Sequence, residues 1–428
     1  MEFFTVSGLR SLKNDTDVRL SGWIQDVRVT KNLVFLIFRD YTGLAQLTVK
    51  RDGWAGIDVT SISRESAVSV QGKYLVKGMS KLGVEILLSG ISVLNAAGTP
   101  LPLAISDPVI SDVETRLDHR SLDLRKREVS RIFRAKSTLL WGIRKFLREN
   151  GFEEVQTPKI VAASTEGGAD LFNVKYFEKE AYLSQSPQLY KEMLVSSGIN
   201  RVFEVGPAFR AEKHNTVRHI NEFTSIDIEM AFSDHEDAMR MLEGSVSGAI
   251  DEVMNEMGDE LREIGLKIPS AKAPFPRITY REALDYLHKK GDAPPFGEDF
   301  TPEQLRSLGE KFDGFYFITK WPSALRPFYT MPDPEDPSVT NSFDLQFQEK
   351  EITSGAQRVH DPEMLLERFK SKGLDSKDFS FYLESFMYGM PPHAGWAIGL
   401  ERLCMIILNL SNIREATLFP RDRNRLVP

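Results

Sequence analysis

The sequence predicts an α+β protein built from more than one domain, and three observations predict it. Residues 16–96 read as a run of short strands: VRLSGWIQDVRV, LVFLIFRD, AQLTVK, AVSVQGKYLVKG and VEILLSGISVLN alternate apolar and polar residues between YTG, RDG and KLG turns. VSRIFRAKSTLLWGIRKFLRENG then places Ile132, Leu139, Leu140, Ile143 and Leu147 at helical spacing. Beyond it, two segments with period-two alternation read as antiparallel hairpins. At 428 residues the chain is too long for one typical core, so two or three domains are expected.

Five strands over about 80 residues suit a small barrel or sandwich, with an oligonucleotide-binding (OB) barrel a common answer. NAAGTPLPLAISDPVI, with its Pro and Gly, reads as a linker. The helix after it should stop at Gly151. In the first hairpin RVFEVGPAF leads in and TSIDIEMAF leads out. Ile226, Ile228, Met230 and Phe232 share one face there, and Ser225, Asp227 and Glu229 the other. In the second, SFDLQFQEKEITSGAQR sets Phe343, Leu345 and Phe347 opposite Asp344, Gln346 and Gln348. Residues 233–330, helix-like and punctuated by Pro, read as an inserted subdomain. GWAIGLERLCMIILNL puts glycines before an apolar helix.

Composition narrows the function classes. Charged residues at 27% and hydrophobic ones at 41% describe a globular chain. The balance of 54 Lys+Arg against 61 Asp+Glu is −7, so any nucleic-acid site must be a local positive patch. The single Cys404 lies in the apolar run LCMIILNL, which excludes a disulfide or cysteine-based zinc site within one chain. MEFFTVSGLRSLKND lacks a signal pattern and no run of 18 apolar residues occurs, so a cytoplasmic protein away from membranes is expected.

The densest charge lies in FRAEKHNTVRHINEF at 209–223. Arg210 and Glu212, two residues apart, should project from one face of a strand. An arginine there offers a fork to phosphate or carboxylate, and the glutamate an acceptor for an amino group such as adenine's. Phe223 and Arg402 could sandwich a base. A solvated hairpin is the alternative. His214 and His219 match no common zinc spacing. Glu351 and Ser354 are hard oxygen donors suited to Mg²⁺. The glycines of TEGGAD mark a loop in which Glu166 could meet a cation. Lys191 and Arg358 are candidates for a carboxylate site. No Walker loop, GxGxxG or HExxH is present.

Together these segments carry a resemblance. FRAEKHNTVRHINEF followed by TSIDIEM resembles motif 2 of class II aminoacyl-tRNA synthetases, GWAIGLERL resembles motif 3, and GFEEVQTP resembles the end of motif 1. TEGGADLF, YLSQSPQLYKEML, EITSGAQR, YGMPPHAG and NIREATLFPRDRNRLVP resemble class IIb aspartyl-tRNA synthetases of the archaeal/eukaryotic type. The resemblance implies an OB-fold anticodon-binding domain at 1–104, a hinge at 105–130, and a class II catalytic domain at 131–428. That last domain is an antiparallel sheet with flanking helices, carrying the 233–330 insertion.

The activity implied is ATP-dependent, AMP-forming aspartate–tRNA ligation, with Mg²⁺ as cofactor, tRNA(Asp) as partner and a homodimer through the motif 1 helix. Arg210 and Arg402 would be the catalytic cations. Arg210 would hold the ATP α-phosphate and the aspartate α-carboxylate. Glu212 would meet the adenine amino group between Phe223 and Arg402. Arg218, His219, Ile220, Gly399, Leu400 and Glu401 would complete the ATP site. Glu351 and Ser354 would hold Mg²⁺. Lys191 and Arg358 would take the aspartate side chain, Glu166 and Asp227 its ammonium, with Gln188 and Ser354 beside it. Arg28, Phe35 and Gln46 would meet the anticodon. Gln25 and the Gly78–Met79 loop match neither the strict nor the relaxed pattern for tRNA choice, which leaves tRNA(Asn) open as a second substrate. The competing readings are an asparaginyl enzyme and a non-catalytic tRNA-binding paralogue.

Overall fold

A computed structural model describes residues 3–76, 80–106, 111–162, 171–213, 216–263, 265–312 and 314–428. Glu166, His214 and the Gly78–Met79 loop lie outside the described residues. The chain divides into two compact units, 1–126 and 127–428.

In the first unit, strands β1 (Asp17–Val29), β2 (Leu33–Arg39), β3 (Leu44–Lys50), β4 (Ala67–Leu75) and β5 (Glu85–Asn95) close into a barrel in the order β1-β2-β3-β5-β4. The period-two pattern explains its layering: Val34, Leu36 and Phe38 are buried in the core while Phe35 and Ile37 face outward. Helix α1 (Val6–Leu9) adds Val6 and Leu9 to that core. The stretch that reads as a hinge holds two short helices, α2 (Val113–Asp118) and α3 (Arg120–Asp123). Asp112 caps the first by accepting from the Thr115 backbone N–H.

The second unit opens with α4 (Arg127–Glu149), followed by Gly151 at φ 78°. Short strands β6 (Glu153–Glu154) and β7 (Ile160–Val161) come next, then β8 (Asn173–Tyr176), β9 (Lys179–Leu183) and α5 (Gln188–Ser196). The motif 2 hairpin is β10 (Arg201–Phe209) and β11 (Glu222–Ala231), antiparallel, with Glu204 opposite Asp227. Helix α6 (His235–Glu263), β12 (Arg277–Thr279), α7 (Tyr280–Lys289), α8 (Pro302–Gly309) and β13 (Phe315–Thr319) precede the second hairpin, β14 (Ser342–Phe347) and β15 (Lys350–Gln357). The unit finishes with α9 (Pro362–Ser371), α10 (Ser380–Met387), β16 (His393–Gly399) and α11 (Leu400–Ile407). Strands β7, β9 and β8 form a small sheet. The large one runs β12-β13-β14-β15-β16-β11-β10-β6.

One face of the large sheet is apolar. Ile226, Ile228, Met230, Phe343, Leu345, Trp396 and Ile398 pack there with α4, α6 and α11 in a single core. Gly142 lets α4 and α6 close, since a Cβ on it would sit 2.7 Å from Ala249 Cα. Cys404 belongs to this core, and burial pushes its thiol up to about 12, so it is a packing residue. The opposite face carries Ser225, Asp227 and Glu229, and it floors the site.

Two expectations need correction. Residues 233–330 are not an insertion set apart from the catalytic core. Helix α6 packs in the main core, and β12 and β13 extend the main sheet; only α7 and α8 gather around a separate cluster with Tyr280 and Trp321. Phe232 does not continue the apolar face of β11. The strand ends at Ala231, where the chain turns toward α6, and Phe232 takes φ 54° and is 73% exposed. Among the described residues no helix is long and apolar enough to cross a membrane.

Candidate active site

Alternation along β11, β14 and β15 puts acids and cations on one side of the sheet and hydrocarbon on the other. On the polar side lies a cavity of about 370 Å³ lined by residues including Gln188, Arg210, Glu212, Phe223, Asp227, Glu351, Arg358 and Arg402. Arg218, His219, Ile220, Ser354, Gly399 and Glu401 line it too. Leu400 turns its side chain into the core, and Lys191 sits behind the lining.

The motif 2 hairpin supplies one wall. Strand β10 stops at Phe209, but Arg210 N–H still donates to Asn221 O at 2.9 Å, so the chain stays paired one residue further. The Arg210 guanidinium lies 5.4 Å from the Phe223 ring centroid. A Cβ at Gly399 would stand 3.8 Å from Arg402 Cβ and 4.0 Å from the Phe223 ring, so this glycine lies between the two side chains. His219 is held below the usual imidazole range by burial and by Arg402, Arg210 and Arg218, against the pull of Glu212. Its Nδ1 lies 2.6 Å from Thr216 Oγ1. The C-terminal segment braces the hairpin: Asn221 N–H donates to Arg421 O, and Arg423 Nη1 to Lys213 O.

Strand β15 supplies the opposite wall. Ser354 Oγ donates to Asp344 Oδ1 at 2.6 Å, and Arg326 Nη2 donates to Asp344 Oδ2 at 2.6 Å. Glu351 opens onto the water of the cavity, yet the enclosing walls and then the Asp344 charge push its carboxyl up to about 7. Two carboxylates and a hydroxyl crowded this way fit a hard divalent cation, whose charge would relieve their repulsion. Among the described residues no group of three or more His, Cys, Asp or Glu side chains could hold a metal by itself.

The floor is a buried charge network. Lys191 Nζ donates to Asp227 Oδ1 at 3.0 Å and lies 3.6 Å from Glu229 Oε2. Arg358 Nε and Nη2 lie 3.1 and 3.3 Å from the two oxygens of Glu229. Burial works against the Arg358 charge, but Glu229 and then Glu192 restore it and lift the group above its ordinary value. Ser225 Oγ donates to Asp227 Oδ2 at 2.5 Å. The site therefore holds two cations at its floor, each matched to a carboxylate.

The comparisons agree with this geometry. Residues 112–423 match the model for tRNA synthetases class II (D, K and N), and residues 18–94 that for an OB-fold nucleic acid binding domain. The chain belongs to the class II tRNA synthetases of the D, K and N type. The aspartate–tRNA(Asp) ligase of Thermoplasma volcanium is 58% identical over 99% of both chains. The aspartate–tRNA(Asp/Asn) ligase of Archaeoglobus fulgidus is 49% identical over 96% of both. Among solved structures, asparaginyl-tRNA synthetase from Pyrococcus horikoshii with asparaginyl-adenylate superposes with TM-score 0.94 at 35% identity, covering all of both chains. Aspartyl tRNA synthetase from Entamoeba histolytica gives 0.88 at 35%, covering all of this chain and 93% of that one.

As a class II synthetase the chain uses several residues that sequence reasoning left out. Glu229, Asp344 and Arg326 bind the named site residues directly. The first two were visible as members of polar faces, but nothing local said what they would meet. Glu401, read as an ATP contact, has both oxygens engaged: Lys136 Nζ donates to one at 2.7 Å and the Thr224 N–H to the other at 2.9 Å. It ties motif 3 to α4 and β11. In the synthetase's OB-fold domain, register aligns Arg28 with Phe35 and Thr48, and Asp26 with Ile37 and Gln46. The three expected anticodon residues thus share the outer face of β1, β2 and β3. Gln25 sits at the bulge in β1. Glu85, which the sequence did not single out, accepts from Thr48 Oγ1 at 2.5 Å.

Proposed function

We propose that the protein is an aspartate–tRNA ligase that activates L-aspartate with ATP and transfers it to the 3′ end of tRNA(Asp). The observation that carries this reading is Arg358, buried at the cavity floor, bonded to Glu229 and adjacent to Lys191. Such a site suits a carboxylate side chain. It leaves asparagine, a neutral isostere, with mismatched partners, a difference worth roughly 10⁴ in discrimination. Fold likeness alone does not separate the two amino acids, since an aspartyl and an asparaginyl enzyme are equally identical to this chain. The curated relatives at 45–58% identity, all named for aspartate, favour the same choice.

In this reading Gln188 and Asp227 border the aspartate ammonium, and Arg358, braced by Lys191 and Glu229, faces its side chain. Adenine enters at Gly399 between Phe223 and Arg402, with Glu212 as acceptor for its amino group. Arg210 contacts the α-phosphate and the α-carboxylate. Activation is in-line attack of a carboxylate oxygen on the α-phosphorus with pyrophosphate leaving. Arg210 and Arg402 hold the reactants in line and offset the charge that develops, so positioning and electrostatics carry the step. Glu351 and Ser354, with Asp344, would hold Mg²⁺, which supplies charge neutralisation on the outer phosphates when bound. Arg218 and His219 face that end of the cavity. The barrel face with Arg28, Phe35 and Gln46 binds the anticodon, and the enzyme acts as a cytoplasmic homodimer.

Pyrophosphate exchange measured separately with aspartate and asparagine tests this. Exchange with aspartate alone is expected; exchange driven by asparagine would reverse the amino-acid assignment, and none with either would remove the activity. For the tRNA, the relatives at 58% identity are named for tRNA(Asp) alone and those at 45–49% for both. This favours strict charging of tRNA(Asp). Aspartylation of a tRNA(Asn) transcript at a comparable rate would overturn it.

A further inference from the structure

The polar floor extends a helical turn deeper than substrate contact requires. Glu192 follows Gln188 by four residues on α5, so the two share a face. Its carboxylate is fully buried and receives Gln188 Nε2 at 2.6 Å, Tyr382 OH at 2.8 Å and His393 Nε2 at 3.0 Å. His393, equally buried, sets its other nitrogen, Nδ1, 2.8 Å from Pro391 O. A carbonyl oxygen only accepts, so Nδ1 carries a hydrogen. Glu192 takes all three contacts as an acceptor, from Gln188, Tyr382 and His393, the pattern of an ionised carboxylate, so Nε2 carries a hydrogen too. With both nitrogens protonated the ring is an imidazolium.

We infer that His393 is a specificity-determining positioning residue whose cation cancels Glu192 behind the amino-acid pocket and so favours a substrate carboxylate over a neutral amide. The inference rests on the assignment of Gln188 and Arg358 to the amino-acid pocket. Arg358 and His360 after β15 and the neutral Tyr382 from α10 face the pair, and Arg358 links it through Glu229 of β11 to Lys191 of α5 and Asp227 of β11. Lys191 and Arg358 face three carboxylates, Asp227, Glu229 and Glu192. Without the imidazolium the floor carries one excess negative charge, which repels an incoming aspartate side chain and leaves asparagine unaffected. Glu192 also orients Gln188: with Nε2 donated to it, the amide oxygen is what Gln188 has left to offer an ammonium in the cavity.

The test measures KM for aspartate, Ki for asparagine and KM for ATP by pyrophosphate exchange in H393Q, E192Q and the double variant. H393Q is expected to raise KM for aspartate about tenfold or more while moving Ki for asparagine and KM for ATP less than about twofold. The double variant, with both charges gone, should return KM for aspartate to within about threefold of the parent. Equal shifts for the two amino acids, or a double variant no better than H393Q, would mean packing alone and overturn the inference. Should H393Q fail to melt cooperatively, E192Q alone provides the readout: its ratio of KM for aspartate to Ki for asparagine should fall, because the floor loses a negative charge, and an unchanged or raised ratio overturns the inference. Arg358→Gln separates the two readings. Loss of aspartate preference there with a silent H393Q removes only the His393 inference, whereas retained preference removes the pocket assignment and the inference with it.

Discussion

Lys191 Nζ lies 3.0 Å from Asp227 Oδ1, with both side chains about 2–3% exposed. Neither partner could be left alone in that environment without a large penalty, so each specifies the other's charge. Removing one partner of such a pair typically costs about 3–5 kcal/mol. Lys191→Met should therefore lower stability by about that amount, and adding Asp227→Asn should recover part of it. Urea midpoints of the three proteins check this; a Lys191→Met midpoint equal to the parent's would contradict it.

Gly399 lines the cavity between Phe223 and Arg402. Gly399→Val places side-chain atoms where a base would stack, so KM for ATP should rise about tenfold or more, as expected for loss of a stacked base worth about 1–3 kcal/mol. KM for aspartate should stay near its parent value. Initial rates of exchange at varied ATP and aspartate separate the two; equal rises would mean general disruption of the sheet.

Phe35 faces outward from the barrel beside Arg28 and Thr48. Phe35→Ala should weaken tRNA binding by about 1–3 kcal/mol, the usual worth of one base–aromatic stack. Pyrophosphate exchange without tRNA should not change. A reduced exchange rate, or unchanged KM for tRNA(Asp), would argue against an anticodon role for this face.

His235 is held below the ordinary imidazole range, first by burial and then by Lys320, and its Nδ1 is buried with no hydrogen-bond partner. The unfolded chain takes up this proton near pH 6.5, while the folded one resists until lower pH. Below that point the unfolded state binds more protons, so this site's contribution is present above about pH 6.5 and lost on acidification. Glu351, pushed up to about 7, works in the opposite sense. The informative comparison is therefore between variants: the urea midpoint at about pH 7.5 minus that at about pH 5.5 should be lower, with sign, in His235→Gln than in the parent. An equal difference would show that His235 carries none of the dependence.

Much of the fold was legible in advance. Alternation in LVFLIFRD marked a half-buried strand, although only the resemblance pointed to Phe35 as its outward residue, and helical spacing marked Leu139, Ile143 and Leu147 as the buried stripe of α4. Residues 233–330 were misjudged because Pro-punctuated, helix-like sequence does not reveal that α6 packs on the main sheet. That depends on apolar residues such as Met239 and Val246 meeting a face built from strands far away in the chain.

The sequence by itself determined which residues share a face, such as Ser225, Asp227 and Glu229 on one side of β11; Arg210 and Glu212, read as strand neighbours, instead lie past the end of β10, where Glu212 N–H turns back to Arg210 O. Shared faces are consequences of backbone periodicity, which acts over a few residues. The tertiary structure decided which charge meets which. Lys191 and Asp227 are 36 positions apart, Arg358 and Glu229 are 129 apart, and His393 and Glu192 are 201 apart. Such pairings follow from strand order and helix packing, because burial in a shared low-dielectric floor makes every unmatched charge costly and leaves one arrangement that matches them.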